Sequence, residues 1–407
     1  MRRGRTVGAL GALLLIVTGC SSGIAGNPTA LSSHPPTSLA APSSGRVPPT
    51  TSIPPQSTPP APMGLAEQVL ARMSEAERVG QLLMVDCPSG GVADATLSAI
   101  TQDHVGAVIL DGTSDLGVQE TAAVTAQLQR DAPRTVALLI ATDQEGGEVQ
   151  RLQGNGFSWI PSALTQGGYL PATLQADAQL WGSELRTAGV NVDLGPVLDT
   201  VPPNFGPNPP IGDLDREYGH DPATVTSHGL AVVQGLAAAH VAATVKHFPG
   251  LGRVTGNTDV SSGVQDTVTT RHDPYLTPFA AAVRAGVPFV MISTAIYTRI
   301  DASHPAAFSP TVITGMLRGD LGFRGVVISD DLGAAAQVSG YSVGDRAVAF
   351  VAAGGDLVLT VDATQAPAMT AALLARAQRD PAFRARVDAA VLTVLREKQA
   401  LGLLQRP

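Results

Sequence analysis

Eight short apolar runs are spread between Leu82 and Val361: LLMVD, GAVIL, LLIATD, VNVDL, AATVKH, FVMIS, VVISDD and DLVLT. Stretches of helical character, about the length a crossover needs, separate them. Strand then helix, eight times over, is what a (β/α)8 barrel, or TIM barrel, requires. Strands buried on both faces read as nearly continuous Val, Ile and Leu, so charge at the end of a run needs another reason. Asp86, Asp143, Lys246, His247, Ser293, Asp330 and Asp331 stand at these ends. In such a barrel function sits at the C-terminal ends of the strands, which makes these residues the first candidates for a site.

The pattern predicts a first strand ending at Asp86 and further strands at 106–110, 136–143, 190–194, 242–247, 289–293, 326–330 and 356–360. An amphipathic helix is expected over 174–187, and closing helices from about residue 367 to 401. Two long loops break the rhythm, one from Glu145 to about Leu170 and one over 196–220. Loops of that length are uncommon in a compact domain unless they bind something.

The first residues read as a targeting segment and are left out of the fold. Arg2, Arg3 and Arg5 precede a short apolar run that ends in VTGC. This resembles a bacterial lipoprotein signal, with residues 1–19 as the signal peptide and Cys20 as the lipidated first residue of the mature chain. The run is too short to span a bilayer, whereas acyl chains anchor without a spanning helix. The expected location is therefore the cell membrane, outside the cytoplasm. Residues 20–64 are Ser, Thr and Pro-rich; such a stretch buries too little to offset its ordering entropy and is expected as a disordered tether. The folded domain is expected over 65–407. Cys87 is the only cysteine besides Cys20, which leaves no disulfide within the mature chain and no multi-thiolate metal site. It is expected to be a packed thiol. The formal charge of -8 offers no basic stripe for phosphates, which argues against nucleic acid.

Two constellations carry chemistry. In Ser329-Asp330-Asp331, adjacent side chains of a strand point to opposite faces, so one Asp faces the mouth. Asp330 is read as the reactive group and Asp331 as a capping or supporting one, for instance at the N-terminus of the following helix. In Lys246-His247-Phe248-Pro249-Gly250, a charged pair at a strand end runs into a glycine-rich loop. Such donors suit a hydroxyl-rich ligand if a carboxylate relieves their repulsion. Asp143, opening DQEGGEVQR, is the candidate carboxylate, with Glu145 and Arg151 in the same loop.

Together these segments resemble family 3 glycoside hydrolases, in particular the single-domain bacterial β-N-acetylglucosaminidases of the NagZ type. The likeness rests on DQEGG-x-VQR at 143–151, IGDLDREYG at 211–219, KHFPG-x-G at 246–252 and the SDDL opening at Ser329. It covers roughly residues 68–401. The resemblance implies Asp330 as nucleophile, and Asp143, Arg151, Arg216, Lys246 and His247 as groups that grip the sugar. It implies a carbohydrate substrate, peptidoglycan fragments for an enzyme outside the membrane, and no metal or organic cofactor. A monomer is expected.

The chain departs from the family pattern at several points, among them MxAH near the sixth strand, which reads Met291-Ile292-Ser293-Thr294. GDRSFG is replaced by a version with two extra residues before Arg216. The Asp-Ser-His triplet that follows KHFPGHG, whose histidine serves as acid/base, reads Asn257-Thr258-Asp259, and KHFPGHG itself reads KHFPGLG. Asp259 falls where the histidine would stand and is the candidate general acid/base, with Asp215 and Glu217 as alternatives. An Asp in that role needs a raised pKa. The expectation is a retaining exo-hydrolase of terminal β-GlcNAc acting through a covalent intermediate on Asp330. A β-glucosidase or sugar phosphorylase of the same family is one alternative; a glycan-binding protein with decayed catalysis is another. An aldolase using Lys246 as a Schiff-base amine would need an apolar pocket around that lysine.

Overall fold

The computed structural model describes residues 63–406. The expected signal segment, Cys20 and the tether as far as residue 62 lie outside the described residues. Eight parallel strands form one sheet: β1 (Leu83–Pro88), β2 (Ala107–Asp111), β3 (Leu139–Thr142), β4 (Val192–Asp193), β5 (Ala242–Phe248), β6 (Phe289–Ile292), β7 (Val326–Ser329) and β8 (Val358–Thr360). Their order is β7-β6-β5-β4-β3-β2-β1-β8. A parallel bridge between Ile328 and Leu357 brings β7 against the run into β8 and closes the ring. The fold is the expected (β/α)8 barrel, with helices outside.

Two apolar layers follow from the two-residue period of a strand. Met84, Ile109, Ala141, Leu194, Met291 and Ile328 belong to the cluster inside the barrel. Val85, Val108, Leu110, Ile140, Val290 and Val327 belong to the cluster between sheet and helices. Helix starts are written in short-range chemistry. Ser74 and Glu77 form a reciprocal capping box, and Asp221 and Asp380 each accept two backbone N–H groups ahead of a Pro at the first helical position. Both motifs satisfy donors that a helix leaves open.

Strand boundaries differ from the sequence expectation where the ladder is short. The third strand begins at Leu139 rather than 136, because Val136 pairs instead with Leu404 of the C-terminal segment. The fourth contains only Val192 and Asp193, although Asn191 N–H and Leu194 N–H still donate to Ile140 and Thr142 at 2.9 and 2.8 Å. The closing region is two helices, Ala366–Arg379 and Pro381–Ala400. Val394 of the second belongs to the inner cluster, with Leu401 and Leu403 packed against it. Lys398 on the same helix is fully buried and donates to Gln81 Oε1 at 2.7 Å. Cys87 is a buried free thiol whose pKa burial pushes up to about 11. No helix among the described residues is long and apolar enough to cross a membrane.

Candidate active site

The inner face of each strand ends at the barrel mouth, and alternation decides what arrives there. On β3, Leu139 and Ala141 point inward, so Asp143 follows them; before β7 ends, Val326 and Ile328 point inward, so Asp330 does too. On β5 the ladder slips between Val245 and Phe248, and the irregularity lets consecutive Lys246 and His247 both face the mouth. These side chains line a cavity of about 330 Å³. Of the residues singled out from the sequence, Asp143, Arg151, Arg216, Lys246, His247, Asp259, Asp330 and Asp331 line it, whereas Asp86, Glu145, Asp215, Glu217 and Ser293 do not. A larger cavity of about 750 Å³, lined by Val233, Ala237, Phe323 and Leu401 among others, contains none of them.

One wall is an ion network. Lys246 Nζ reaches Asp143 Oδ1 at 2.5 Å and Glu145 Oε1 at 2.6 Å. Arg216 donates through Nε and Nη2 to the two oxygens of Glu145 at 2.8 and 2.7 Å. Burial opposes ionisation of Glu145, yet Arg216 and Lys246 hold its carboxyl well below the usual range. In turn, burial would weaken the charges on Lys246 and Arg216, and the carboxylates more than restore them. The pocket around Lys246 is therefore polar, unlike that of a Schiff-base lysine. Beneath it, burial pushes Asp193 up to about 7, with a hydrogen bond from Gln144 N–H opposing.

The extra residues before Arg216 are accommodated without displacing it. Leu214 ends a 3-10 turn, and Asp215 takes the left-handed conformation at φ 53°. Arg216 Nη1 also donates to the Pro210 carbonyl at 2.7 Å. The fully buried Asn208 braces this loop: its Oδ1 accepts from Gly212 N–H, and its Nδ2 donates to the carbonyls of Leu251 and Val254. The same amide thus links the Arg216 loop to the loop that carries Asp259. Gly252 lies so close to the Thr200 carbonyl that a Cβ would clash with it.

His247 is oriented by Asp199, whose Oδ2 lies 2.7 Å from Nδ1. Asp199 Oδ1 accepts from the backbone N–H of His247 and Leu251 at 3.1 and 2.7 Å. With an acceptor-only carboxylate at Nδ1, the other ring nitrogen is left for the cavity.

The two remaining carboxylates face each other electrostatically. Burial raises Asp330 to about 6; the His247 imidazole opposes this and the Asp259 charge reinforces it. Asp259 as a residue is exposed, but the packing around its carboxyl also raises it, against His247 and Arg216 and with Asp331 and Asp143. Its loop is sewn to the loop after β7. Ala336 N–H donates to Asp259 O, Gln337 N–H to Thr258 O, and the Gln337 amide pairs with both N–H and O of Val264 at 2.8 and 3.1 Å. Asp331 plays the supporting part rather than capping the next α-helix. Its carboxylate accepts from Gly333, Ala334, Ala335 and Val361 N–H, while the next helix, Val343–Ala353, is capped by Ser342.

Residues 75–396 match the Glycosyl hydrolase family 3 N terminal domain. The chain belongs to glycosyl hydrolase family 3. It is a glycosidase, and its relatives are of the β-hexosaminidase type. A solved β-N-acetylhexosaminidase from Beutenbergia cavernae is 50% identical, with a TM-score of 0.80 over 81% of this chain and 99% of that one. A family 3 β-N-acetylglucosaminidase from Paenibacillus is 35% identical, with a TM-score of 0.74 over 81% of this chain and 63% of the other. A β-hexosaminidase from Xanthomonas oryzae is 38% identical over 282 residues, 66% of this chain and 81% of its own length.

Two lining or supporting groups escaped the sequence reading. Asp199 sits inside a long loop where no periodicity marks it. Asp111 lines the cavity but follows a run read as ending at Leu110, although the inward pair Ala107 and Ile109 carries the signal for it.

Proposed function

We propose that this chain is a retaining, exo-acting β-N-acetylglucosaminidase that releases terminal non-reducing β-GlcNAc from peptidoglycan fragments such as GlcNAc-MurNAc or muropeptides. The observation that carries the reading is that Asp330 and Asp259 line one cavity with Asp143, Arg151, Arg216, Lys246 and His247, where burial raises both Asp330 and Asp259. Two carboxyls that cannot both ionise freely supply one nucleophile and one acid. Asp330, ionised above about pH 6, attacks the anomeric carbon. As the glycosidic C–O bond breaks, Asp259 gives its proton to the departing oxygen. The Asp259 carboxylate then takes a proton from water, whose oxygen displaces Asp330 from the anomeric carbon. The sugar leaves with retained configuration, and Asp259 is protonated again. Asp143, Arg151, Arg216, Lys246 and His247 hold the sugar hydroxyls and the acetamido group. The lipoprotein-type N-terminus supports anchoring through Cys20 outside the cytoplasmic membrane, where wall fragments occur.

The test is trapping. A 5-fluoro N-acetylglucosaminyl fluoride should leave a stable sugar adduct on the peptide containing Asp330, and NMR of the natural reaction should show the β-anomer first. Appearance of the α-anomer first, or an adduct elsewhere, would overturn the assignment. Parallel aryl β-glucoside and added-phosphate reactions separate the glucosidase and phosphorylase readings. GlcNAc binding with no turnover of any substrate would leave a binding protein.

A further inference from the structure

We propose that Asp111 is a specificity residue of this site, whose carboxylate accepts a hydrogen bond from a hydroxyl at the end of the sugar remote from the anomeric carbon. The inference rests on the proposed glycosidase reading and extends its recognition set. Ala107 and Ile109 point into the barrel, so two-residue alternation carries Asp111 to the inner rim. Leu110 pairs with Thr142, which puts Asp111 beside Asp143 at the ends of neighbouring strands, and both line the same cavity.

Among the carboxylates that line the cavity, Asp111 and Asp259, the latter assigned to proton transfer, are the two whose acceptor capacity no described residue uses. Asp143 is taken by Lys246. Asp86, also inward on β1, accepts from Ala363 N–H at 2.5 Å. Asp331 is filled by four backbone N–H groups. The half-buried Asp111 carboxylate receives no hydrogen bond from any described residue. Arg151, on the same cavity wall, makes no ion pair among the described residues, and its buried Nε has no partner. Asp111 is an acceptor-only group and Arg151 a donor-only group lining the same cavity, so hydroxyls of a ligand held there can donate to the one and accept from the other.

Barrel order says which hydroxyl. Counting around the ring from β7, β3 is four strands away in one direction and β2 is three away in the other. A sugar whose anomeric carbon meets Asp330 therefore presents its far side, the C3, C4 and C6 hydroxyls, to β2 and β3.

The experiment is an enzyme–substrate cycle. Wild type, Asp111→Ala and Asp111→Asn are assayed on an aryl N-acetyl-β-glucosaminide and its 3-deoxy, 4-deoxy and 6-deoxy analogues, with circular dichroism to verify folding. Asp111→Ala should lower kcat/KM on the parent by about 10- to 100-fold, the range for a hydrogen bond to a charged group. On at least one deoxy analogue it should match wild type within about twofold, while the remaining analogues show the full loss. Asp111→Asn keeps one acceptor oxygen and should recover part of the parent rate. A loss equal on all four substrates, or no loss on the parent, overturns the proposal. The same cycle by calorimetry with N-acetylglucosamine and its deoxy forms reads the Asp111 contact without turnover. An inactive wild type would thus refute the hydrolase reading separately.

Discussion

Lys398 offers a prediction whose size can be worked out. It is fully buried on the barrel floor, its one hydrogen bond goes to a neutral amide oxygen, and burial lowers its pKa from 10.5 to about 7. The folded chain therefore binds fewer protons than the unfolded one between those two values. Wild-type stability should rise with pH across that window, and what this residue contributes is lost as pH falls through about 7. At ~1.36 kcal/mol per tenfold change in proton affinity, the ceiling on its cost near neutrality is ~4–5 kcal/mol. Lys398→Met removes the charge but strands Gln81 Oε1, a penalty of about 1–3 kcal/mol. The net expectation is a gain of about 1–3 kcal/mol at pH 7, or roughly 2–4 °C in Tm for a domain of this size. Urea unfolding of both proteins at pH 7, 8 and 9 checks it, because every other group titrates alike in the two. The advantage of the Met variant should shrink by about 2 kcal/mol between pH 7 and 9. An advantage that stays constant with pH, or a variant less stable throughout, would refute the argument.

Other predictions concern the mouth. The pH profile of kcat/KM should be a bell whose two limbs belong to the Asp330 and Asp259 carboxyls together, both raised above the ordinary Asp range by burial. Asp259→Asn should abolish the alkaline limb and slow substrates with poor leaving groups by about 10²–10⁴-fold, with activated aryl substrates affected less. Glu145→Gln leaves Lys246 and Arg216 with too little negative charge, so urea unfolding should show a loss of about 3–5 kcal/mol. Gln337→Ala unfastens the loop carrying Asp259. It should cut kcat on poor leaving groups by about 10–100-fold with little change in KM, and hydrogen exchange should quicken at 257–264.

How much of this was legible depends on whether a residue lies on a periodic element. Asp143, Lys246 and Asp330 end apolar runs, and alternation alone orients them. Asp111 obeys the same rule, but Asp111-Gly112 reads as a turn, so the run was stopped one residue early. Alternation separates Asp331 from Asp330, yet both line the cavity. The partners of its carboxylate, the N–H groups at 333–335 and 361, belong to a turn and a distant strand that local sequence does not bring together. Asp199 and Asn208 act from the interior of a loop with no period, where position comes only from tertiary contacts. How the two extra residues before Arg216 are absorbed is set by the left-handed turn at Asp215, which no periodic pattern marks.

The inner cluster contains a residue from the last helix as well as residues from the strands. Val394 with Leu401 and Leu403 fills the floor, and Ala137 and Gln405 N–H bond across to Leu403 and Thr135 at 2.9 and 3.1 Å. Assembly therefore has an order in time. A chain made from its N-terminus can pair strands early, but the ring stays unplugged and wet until its final few dozen residues arrive. The barrel interior is thus dry only once the helix that carries Val394 has docked.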